Sequence, residues 1–204
     1  MEQLANALQN IITTTQENAP FLLKFIGLLW LIHLINWATK YHFNALGIRP
    51  RTSRGLLGII FAPFLHGHAN HLFFNTIPLF VLGSLVLANG YTLFYTVSII
   101  TIVLGGFLTW AFGRKAIHIG ASTLVMGYFG YLLANAYYNF NVTTIILAVI
   151  CLYYFGGLII ALFPGKKEVS WESHVFGFIA GIAASYMYPT ILLILQVLQT
   201  NQHG

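Results

Sequence analysis

Long apolar stretches alternate with short breaks that contain glycine, proline or polar residues. Each stretch has about 20 residues, the length that a helix needs to cross a hydrocarbon core about 30 Å thick. The six predicted spans are residues 21–39, 68–88, 91–112, 119–138, 143–163 and 171–196. The pattern therefore predicts an all-α polytopic membrane protein, a bundle of six transmembrane helices.

The segments outside the spans complete the predicted organisation. Residues 1–20 carry apolar side chains at helical spacing and predict a short amphipathic segment on the membrane surface, with Pro20 at the start of the first span. Residues 21–198 form one six-span domain, and residues 199–204 form a tail. Between the first two spans the chain has too many Gly, Pro and Arg residues to cross, so it predicts a long in-plane loop with an interfacial segment at Gly55–Leu65.

Composition supports an integral membrane protein. Hydrophobic residues make up 58% of the 204 positions and charged residues only 6%. A soluble domain of this size needs a far more polar surface. The net charge of +5 comes from basic residues scattered through short loops, which favours an anionic lipid surface over nucleic acid as a partner.

Polar residues converge on one layer of the predicted bundle. In a six-span protein the second, fourth and sixth spans all begin on the same side of the membrane. These spans open with His71 and Asn75, with Ser122, and with His174, and His71 and Asn75 are four residues apart on one helix face. Intramembrane polar groups are costly and usually mark a function, so this layer is the candidate site.

Small residues accompany the candidate site. Gly120 precedes Ser122, and the glycines that follow on the fourth and sixth spans are Gly127, Gly130, Gly177 and Gly181. Spacing of this kind lets two helix backbones approach closely in lipid. We therefore expect close packing of the two spans to bring the Ser122 hydroxyl within hydrogen-bond reach of His174.

The residue types at this layer suit peptide hydrolysis by an activated serine. Ser122 is the candidate nucleophile and His174 the candidate general base and acid. The oxyanion donors are His71, Asn75 and the Ser122 backbone N–H. The chain contains no aspartate, so the pair acts as a dyad or one of four glutamates assists. Glu172, two residues from His174, faces another side of the helix, so it is a poor candidate to orient the histidine. Hydrolysis by a serine and a histidine requires no cofactor or metal.

Absent residues exclude two other protease classes. An aspartic intramembrane protease needs two aspartates, and this sequence has none. A zinc protease of the H-E-x-x-H kind needs a glutamate between helical histidines, which "HGHANH" lacks.

The sequence resembles the rhomboid intramembrane serine proteases over about residues 21–190. Three motifs carry the resemblance: His66 with His71 and Asn75, Gly120 with Ser122, and His174 with Gly177 and Gly181. The resemblance implies a Ser122–His174 dyad, an oxyanion site at His71 and Asn75, and a water-filled cavity on the side of the first loop. It also implies single transmembrane-helix substrates that pass the fifth span and are cut at small residues near the membrane boundary.

Two positions depart from the family pattern. Thr123 stands where the family usually has glycine, and Met126 stands where an aromatic side chain often packs against the catalytic histidine. A β-branched residue after the serine bears on the rate and the specificity, whereas neither change removes a reacting group. We expect Thr123→Gly to retain or raise activity.

Two alternatives remain open. Four histidines could line a metal or haem site in a membrane protein, namely His66, His68, His71 and His174. A non-cleaving relative that binds transmembrane helices is the other alternative. Taken singly, His66 and His68 are expected to brace the first loop or face interfacial water, and His118 is expected at the membrane interface.

The distribution of basic residues conflicts with the expected orientation. Eight of them lie on the side of the candidate site, namely Lys40, Arg49, Arg51, Arg54, Arg114, Lys115, Lys166 and Lys167, against Lys24 near the opposite face. The positive-inside rule places the candidate site toward the cytoplasm. The resemblance implies a bacterial inner (cytoplasmic) membrane protein that opens away from the cytoplasm, and we keep that orientation as the expectation. The sequence indicates no oligomeric state.

Overall fold

The structure, a computed structural model, describes residues 2–164 and 170–201. Regular structure in this part of the chain is helical, which confirms the all-α prediction. Its α-helices are α1 (Glu2–Ala38), α2 (Ser53–Phe61), α3 (Ala69–Leu87), α4 (Tyr91–Ile100), α5 (Gly106–Phe112), α6 (Ser122–Tyr138), α7 (Val142–Phe155) and α8 (Trp171–Asn201). Helices α4 and α5 are joined by a π-helical turn at Thr101–Gly105, and α7 continues as a 3₁₀ helix at Gly156–Leu162.

Five helical segments in the described residues are long and apolar enough to cross a membrane: Glu2–Ala38, Ala69–Leu87, Tyr91–Phe112, Val142–Leu162 and Trp171–Thr200. They correspond to all the predicted spans except the fourth. That span is α6, which has 17 residues and begins at Ser122, three residues later than predicted. The shortfall arises because residues 119–121 form a loop that positions Ser122.

The first helix does not begin at Pro20 as predicted. It runs without interruption from Glu2 to Ala38 with Pro20 inside it. Proline removes one helix hydrogen bond, and its side chain is exposed here, so it causes no clash with a neighbouring helix. At 1.5 Å per residue the helix is about 55 Å long, more than the hydrocarbon core requires. The surface location of residues 1–20 stays a prediction.

Helix α6 lies at the centre of the bundle. Ten consecutive residues, from Thr123 to Leu132, are buried. The Tyr128 phenol, fully enclosed, shares a hydrogen bond of 2.7 Å with the Ser98 hydroxyl of α4. A helix buried on all sides by protein contacts little lipid, and it holds its first residue, Ser122, in a fixed frame.

The first loop folds against the end of α5. The predicted interfacial segment forms α2 and a 3₁₀ turn at Ala62–Phe64, together too short to span a membrane. Ile48 and His118 exchange two backbone hydrogen bonds of 3.0 and 2.9 Å, which join the first loop to the loop before Ser122. The first loop therefore becomes a wall beside the candidate site.

Candidate active site

The loop before Ser122, residues 113–121, which we call the serine loop, is fixed by hydrogen bonds to the first loop. The Gly120 N–H donates to the Ala62 carbonyl at 2.9 Å, and the Ala121 N–H donates to Nε2 of His66 at 3.2 Å. Gly120 has a φ of 124°, in a region that favours glycine because it has no Cβ. Only glycine therefore fits without strain two residues before the candidate nucleophile.

His66 braces this serine loop as a neutral imidazole. It is fully buried, and burial together with the neighbouring His71 imidazole lowers the pKa of His66 to about 3. Because Nε2 accepts a hydrogen bond from Ala121, the proton lies on Nδ1. His68 is exposed and caps α3, since its Nδ1 accepts the His71 backbone N–H at 3.0 Å. The expectation was that both histidines brace the first loop or face interfacial water; His66 instead joins the first loop to the serine loop, and the exposed His68 caps α3.

Backbone contact joins α6 to α8. A methyl group added at Gly177 would lie 2.4 Å from the Thr123 carbonyl oxygen, and one added at Gly181 would lie 1.9 Å from that of Gly127. The paired positions advance by four residues on both helices, so α6 and α8 run in parallel. On the other side of this α6–α8 seam, Gly130 lies equally close to the Phe178 carbonyl, 2.4 Å from such a methyl group.

The seam brings the N-terminal ends of the two helices together. Ser122 directly precedes Thr123, and His174 lies about one turn before Gly177. Both side chains are half-buried. The Ser122 hydroxyl makes no hydrogen bond within the described part of the chain, so the Ser122–His174 hydrogen bond stays a prediction. Catalytic hydrogen bonds are often long in unliganded enzymes and tighten with substrate.

The His174 ring is oriented by a backbone carbonyl. Its Nδ1 lies 3.0 Å from the carbonyl oxygen of Ala161, in the 3₁₀ helix that follows α7. A carbonyl only accepts, so Nδ1 carries the proton and Nε2 keeps its lone pair. This is the tautomer that a general base needs. Sequence analysis missed this partner, because a backbone carbonyl at position 161 leaves no signal in side-chain patterns.

His71 and Asn75 meet at Gly120. A methyl group added at Gly120 would lie 2.8 Å from Cε1 and Nε2 of His71 and 3.6 Å from Nδ2 of Asn75. The Asn75 Nδ2 is buried and has no hydrogen-bond partner within the described residues. Buried amide groups normally have a hydrogen-bond partner, so this N–H donor is free to bind a group that enters the site. His71 also lies near enough to His174 for charges on the two rings to interact.

Thr123 and Met126 are both buried behind Ser122. The Thr123 methyl group lies 3.2 Å from where a Cβ would stand at Gly105, the last residue of the π-helical turn. Gly127 follows Thr123 by about one turn of α6 and faces Thr101, the first residue of the π-helical turn. The Thr101 methyl group lies 2.3 Å from where a Cβ would stand at Gly127. The glycine at position 105 thus makes room for the side chain at position 123, where the family pattern has none.

A second set of contacts, which we call the clamp, fastens the serine loop to the start of α8. His118 Nε2 donates to the Arg114 carbonyl at 3.0 Å, so Nδ1 accepts from the Ser170 hydroxyl at 2.5 Å. The Ser173 hydroxyl lies 2.7 Å from that of Ser170. Glu172 is buried and pairs with Arg114, with 3.6 Å between Oε1 and Nε.

The clamp corrects the expectation for His118. Only 2% of this residue is exposed, so it is not an interfacial side chain. The sequence prediction failed because it treated residues 113–121 as a surface loop, whereas the first loop and α8 cover them. Burial lowers the pKa of His118, against the opposing effect of its bond to the Arg114 carbonyl. The two loop lysines Lys166 and Lys167 lie outside the described residues.

The histidines do not form the metal or haem cluster of the alternative hypothesis within the described residues. No group of three or more His, Cys, Asp or Glu side chains is placed there to hold a metal ion. His66 uses Nε2 to accept from Ala121, and His174 uses Nδ1 to donate to Ala161. These ring nitrogens have roles in the fold itself.

Comparison with known proteins identifies the family. The Rhomboid domain matches residues 53–190, from α2 into α8. An uncharacterized protein of Mycobacterium tuberculosis (strain ATCC 25618 / H37Rv) is 36% identical over 175 residues, which cover 81% of this chain and 73% of that protein. An uncharacterized protein of Mycobacterium leprae (strain TN) is 35% identical over 175 residues, 81% of this chain and 69% of its own. The chain therefore belongs to the rhomboid family of multi-pass integral membrane proteins, whose members are generally intramembrane proteases.

Proposed function

We propose that the protein is a serine endopeptidase that cleaves single transmembrane-helix substrates near the membrane boundary. The observation that carries the proposal is the α6–α8 seam, where Gly177 lies against the Thr123 backbone. This contact supports the assignment of Ser122 and His174 to one catalytic pair, since it sets both at the same end of two parallel helices. Family membership supports the reaction class.

In the proposed mechanism Ser122 is the nucleophile. Its Oγ attacks the carbonyl carbon of the scissile peptide bond while Nε2 of His174 takes the hydroxyl proton. His174 then returns this proton to the leaving amine, and water attacks the acyl-enzyme in the second half of the cycle. The Ala161 carbonyl stabilises the imidazolium that forms, because it accepts from Nδ1 throughout. This backbone carbonyl takes the orienting part that an aspartate has in a triad.

Three donors are proposed for the oxyanion: the unpaired Asn75 amide, the His71 ring and the Ser122 backbone N–H. Ser122 is the first residue of α6, so its N–H has no carbonyl partner within the helix. Both side chains reach Gly120, two residues before the nucleophile. Removal of one oxyanion donor typically lowers kcat by about 100- to 1000-fold. We expect Asn75→Ala to fall in that range with a smaller change in KM.

Substrate access is proposed along α7. The outer face of this helix is exposed, with Tyr153 and Tyr154 at 81% and 71% exposure. Its continuation, Gly156–Leu162, is the segment that carries the Ala161 carbonyl. A transmembrane helix that passes α7 would reach the half-buried Ser122 at the end of α6, close to the membrane boundary. This location agrees with the site of cleavage that the resemblance implies.

Two observations favour the alternative of a non-cleaving member that binds transmembrane helices. The Ser122 hydroxyl has no hydrogen bond to His174 in the described residues, and Thr123 takes up volume directly behind it. Cleavage of a single-span substrate by the purified protein decides between the two functions. A protein that binds a transmembrane segment but never cuts it would establish the alternative.

The test is cleavage of a single-span substrate by the purified protein in detergent or liposomes. We expect the parent to cut the substrate, and Ser122→Ala and His174→Ala each to lower the rate by about 10⁴-fold or more. Ser84→Ala is the matched control, because its hydroxyl donates only to its own helix, to the Phe80 carbonyl at 2.7 Å. Full activity in Ser122→Ala would contradict the proposal.

The proposed location is the bacterial inner membrane, with the candidate site facing away from the cytoplasm. Basic loop residues on the side of the site, such as Arg51 and Lys115, favour the opposite orientation by the positive-inside rule. A reporter fused to the C-terminus, active on one side of the membrane only, determines which is right. A cytoplasmic candidate site would overturn this part of the proposal and leave the chemistry intact.

A further inference from the structure

A basic cavity lies between the first loop and the loop before Ser122. It has a volume of about 480 Å³ and opens to the surface. Arg49, Arg51 and Lys115 line it together with Thr52 and Ile117. It is separate from the proposed catalytic groups, and none of the residues assigned to catalysis lines it.

The walls of this cavity are held by hydrogen bonds, so it is formed in advance of any ligand. Nη1 of Arg51 donates to the carbonyls of Ala111 and Gly113 at 3.0 and 2.9 Å, and the Arg51 backbone N–H donates to the Trp110 carbonyl at 2.9 Å. The Trp110 indole N–H donates back to the Thr52 carbonyl at 2.8 Å. These bonds cross-link the first loop to the end of α5.

The cavity has an excess of positive charge. Its lining includes three cationic side chains and no carboxylate. Glu172, the acidic residue described on this side, pairs with Arg114 instead. The Nε of Arg49, a residue that lines the cavity, is buried without a hydrogen-bond partner among the described residues. The Ala111 and Gly113 carbonyls accept hydrogen bonds from Arg51 but carry no net charge, so the positive charge of Arg51 is not neutralised.

The position of the cavity favours a lipid over a free ion. It lies beside Trp110, a residue type enriched at membrane interfaces, on the face where the transmembrane helices end. Ile117 adds an apolar wall and is half exposed. A phospholipid matches both the basic and the apolar lining. Its phosphodiester charge would pair with the cationic side chains, and its acyl chain would pack against the apolar side.

We propose that this cavity binds the phosphate group of an anionic phospholipid. The bound lipid bridges the first loop and the serine loop across the Ile48–His118 backbone pair. Anionic lipid therefore stabilises the wall that supports Gly120 and Ser122. The site is a binding site in its own right, and its test needs no proteolytic activity.

Binding is measured on the full-length protein in a neutral detergent, by native mass spectrometry and by the rise in Tm on addition of phosphatidylglycerol. The test variant is Arg49→Gln with Lys115→Gln, which leaves the structural bonds of Arg51 in place. The matched control is Lys40→Gln with Arg54→Gln, which removes the same charge from exposed positions on the same side. Phosphatidylcholine and inorganic phosphate are the ligand controls.

We expect the parent and the control variant to bind phosphatidylglycerol alike and the test variant to bind about thirtyfold more weakly, since each basic residue near a membrane surface strengthens binding by about five- to sixfold. The charge-preserving variant Arg49→Lys with Lys115→Arg should recover most of the affinity, which separates charge from misfolding. Equal losses in the test and control variants would overturn the proposal, as would no loss in either. Saturable binding of inorganic phosphate alone, at the affinity of the lipid, would overturn the assignment to a lipid.

Discussion

The α6–α8 seam and α7 differ in how tightly they are packed. At the seam, glycines place backbone against backbone, so that a single added methyl group at Gly181 would overlap the Gly127 carbonyl at 1.9 Å. At the end of α7, Gly156 and Gly157 have no atom within 4 Å of where a methyl group would stand. The half that holds the proposed nucleophile and base is thus fixed, whereas the half proposed for substrate access has free space.

The two regions meet at one hydrogen bond. The Ala161 carbonyl belongs to the loosely packed continuation of α7, yet it orients the His174 ring on α8 at 3.0 Å. A displacement of this 3₁₀ helix by an arriving substrate would therefore act directly on the proposed general base. Close backbone packing is therefore concentrated at the seam beside the proposed nucleophile and base, and free space begins in the segment whose Ala161 carbonyl contacts His174.

The largest effect on stability is expected from a matched pair of glycine variants. Gly181→Ala introduces a clash with backbone that cannot rotate away, and overpacking of this kind costs about 3 kcal/mol or more. Gly156→Ala meets open space and restricts the unfolded chain, so we expect a change of about 1 kcal/mol at most, in the stabilising direction. Thermal unfolding in detergent measures both. Equal values of Tm for the two variants would remove the distinction between the regions.

The next effect is a loss of stability in acid. His66 stays neutral when folded because its pKa lies near 3, whereas the unfolded side chain takes up a proton below about pH 6.5. The lowered pKa of a folded base means that its contribution is complete above pH 6.5 and is lost as pH falls toward 3. Between pH 7 and pH 5 this histidine alone accounts for a loss of about 2 kcal/mol.

The control for the acid effect is His66→Asn, whose side-chain oxygen can still accept from the Ala121 N–H. We expect it to flatten the dependence of Tm on pH between 7 and 5, although His118 still contributes, since burial lowers its pKa too. An unchanged slope in His66→Asn would show that other groups cause the acid loss.

A smaller effect is expected at the position that departs from the family pattern. Thr123→Gly removes a buried side chain that packs toward Gly105 and places a glycine in a helix, so we expect a loss of about 1–2 kcal/mol. Cleavage activity should be retained or raised, because glycine is the residue that the family pattern has at this position and none of the proposed reacting groups is removed. Thr123→Ala separates the lost packing from the helix propensity of glycine. Complete inactivity of both variants, with intact folding, would show that the threonine is required.

The smallest effect on stability is expected on α7. Tyr153→Ala changes an exposed side chain, and such substitutions usually shift stability by less than about 0.5 kcal/mol. If substrates pass α7, the same change should alter KM for a transmembrane substrate while the labelling of Ser122 by a small reagent stays constant. A variant with unchanged KM would place the access route elsewhere.

The sequence predicted the fold because the features that set it are local and repeated. Apolar length predicted the helices, and the comparison with known proteins confirmed the rhomboid family that the motifs around Ser122 and His174 indicated. The spacing of Gly177 and Gly181 predicted close helix packing, and both glycines lie against α6. The catalytic roles of Ser122, His174, His71 and Asn75 remain predictions.

Other features could not be predicted because they depend on contacts between distant segments. The apolar pattern around Pro20 does not distinguish a helix start from a helix that continues through an exposed proline. The burial of His118 follows from the first loop and α8 closing over it. The Ala161 carbonyl and the π-helical turn beside Thr123 are backbone features, on which side-chain patterns carry no information.

The central claim is that His174 activates Ser122, and the most direct measurement is the rate at which a fluorophosphonate labels the purified protein, with the modified residue identified by mass spectrometry. We predict labelling of Ser122 in the parent and in Ser84→Ala, none at this position in Ser122→Ala, and a rate lower by about 10³-fold or more in His174→Ala. Labelling of His174→Ala at the rate of the parent, in protein that folds normally, would contradict the account.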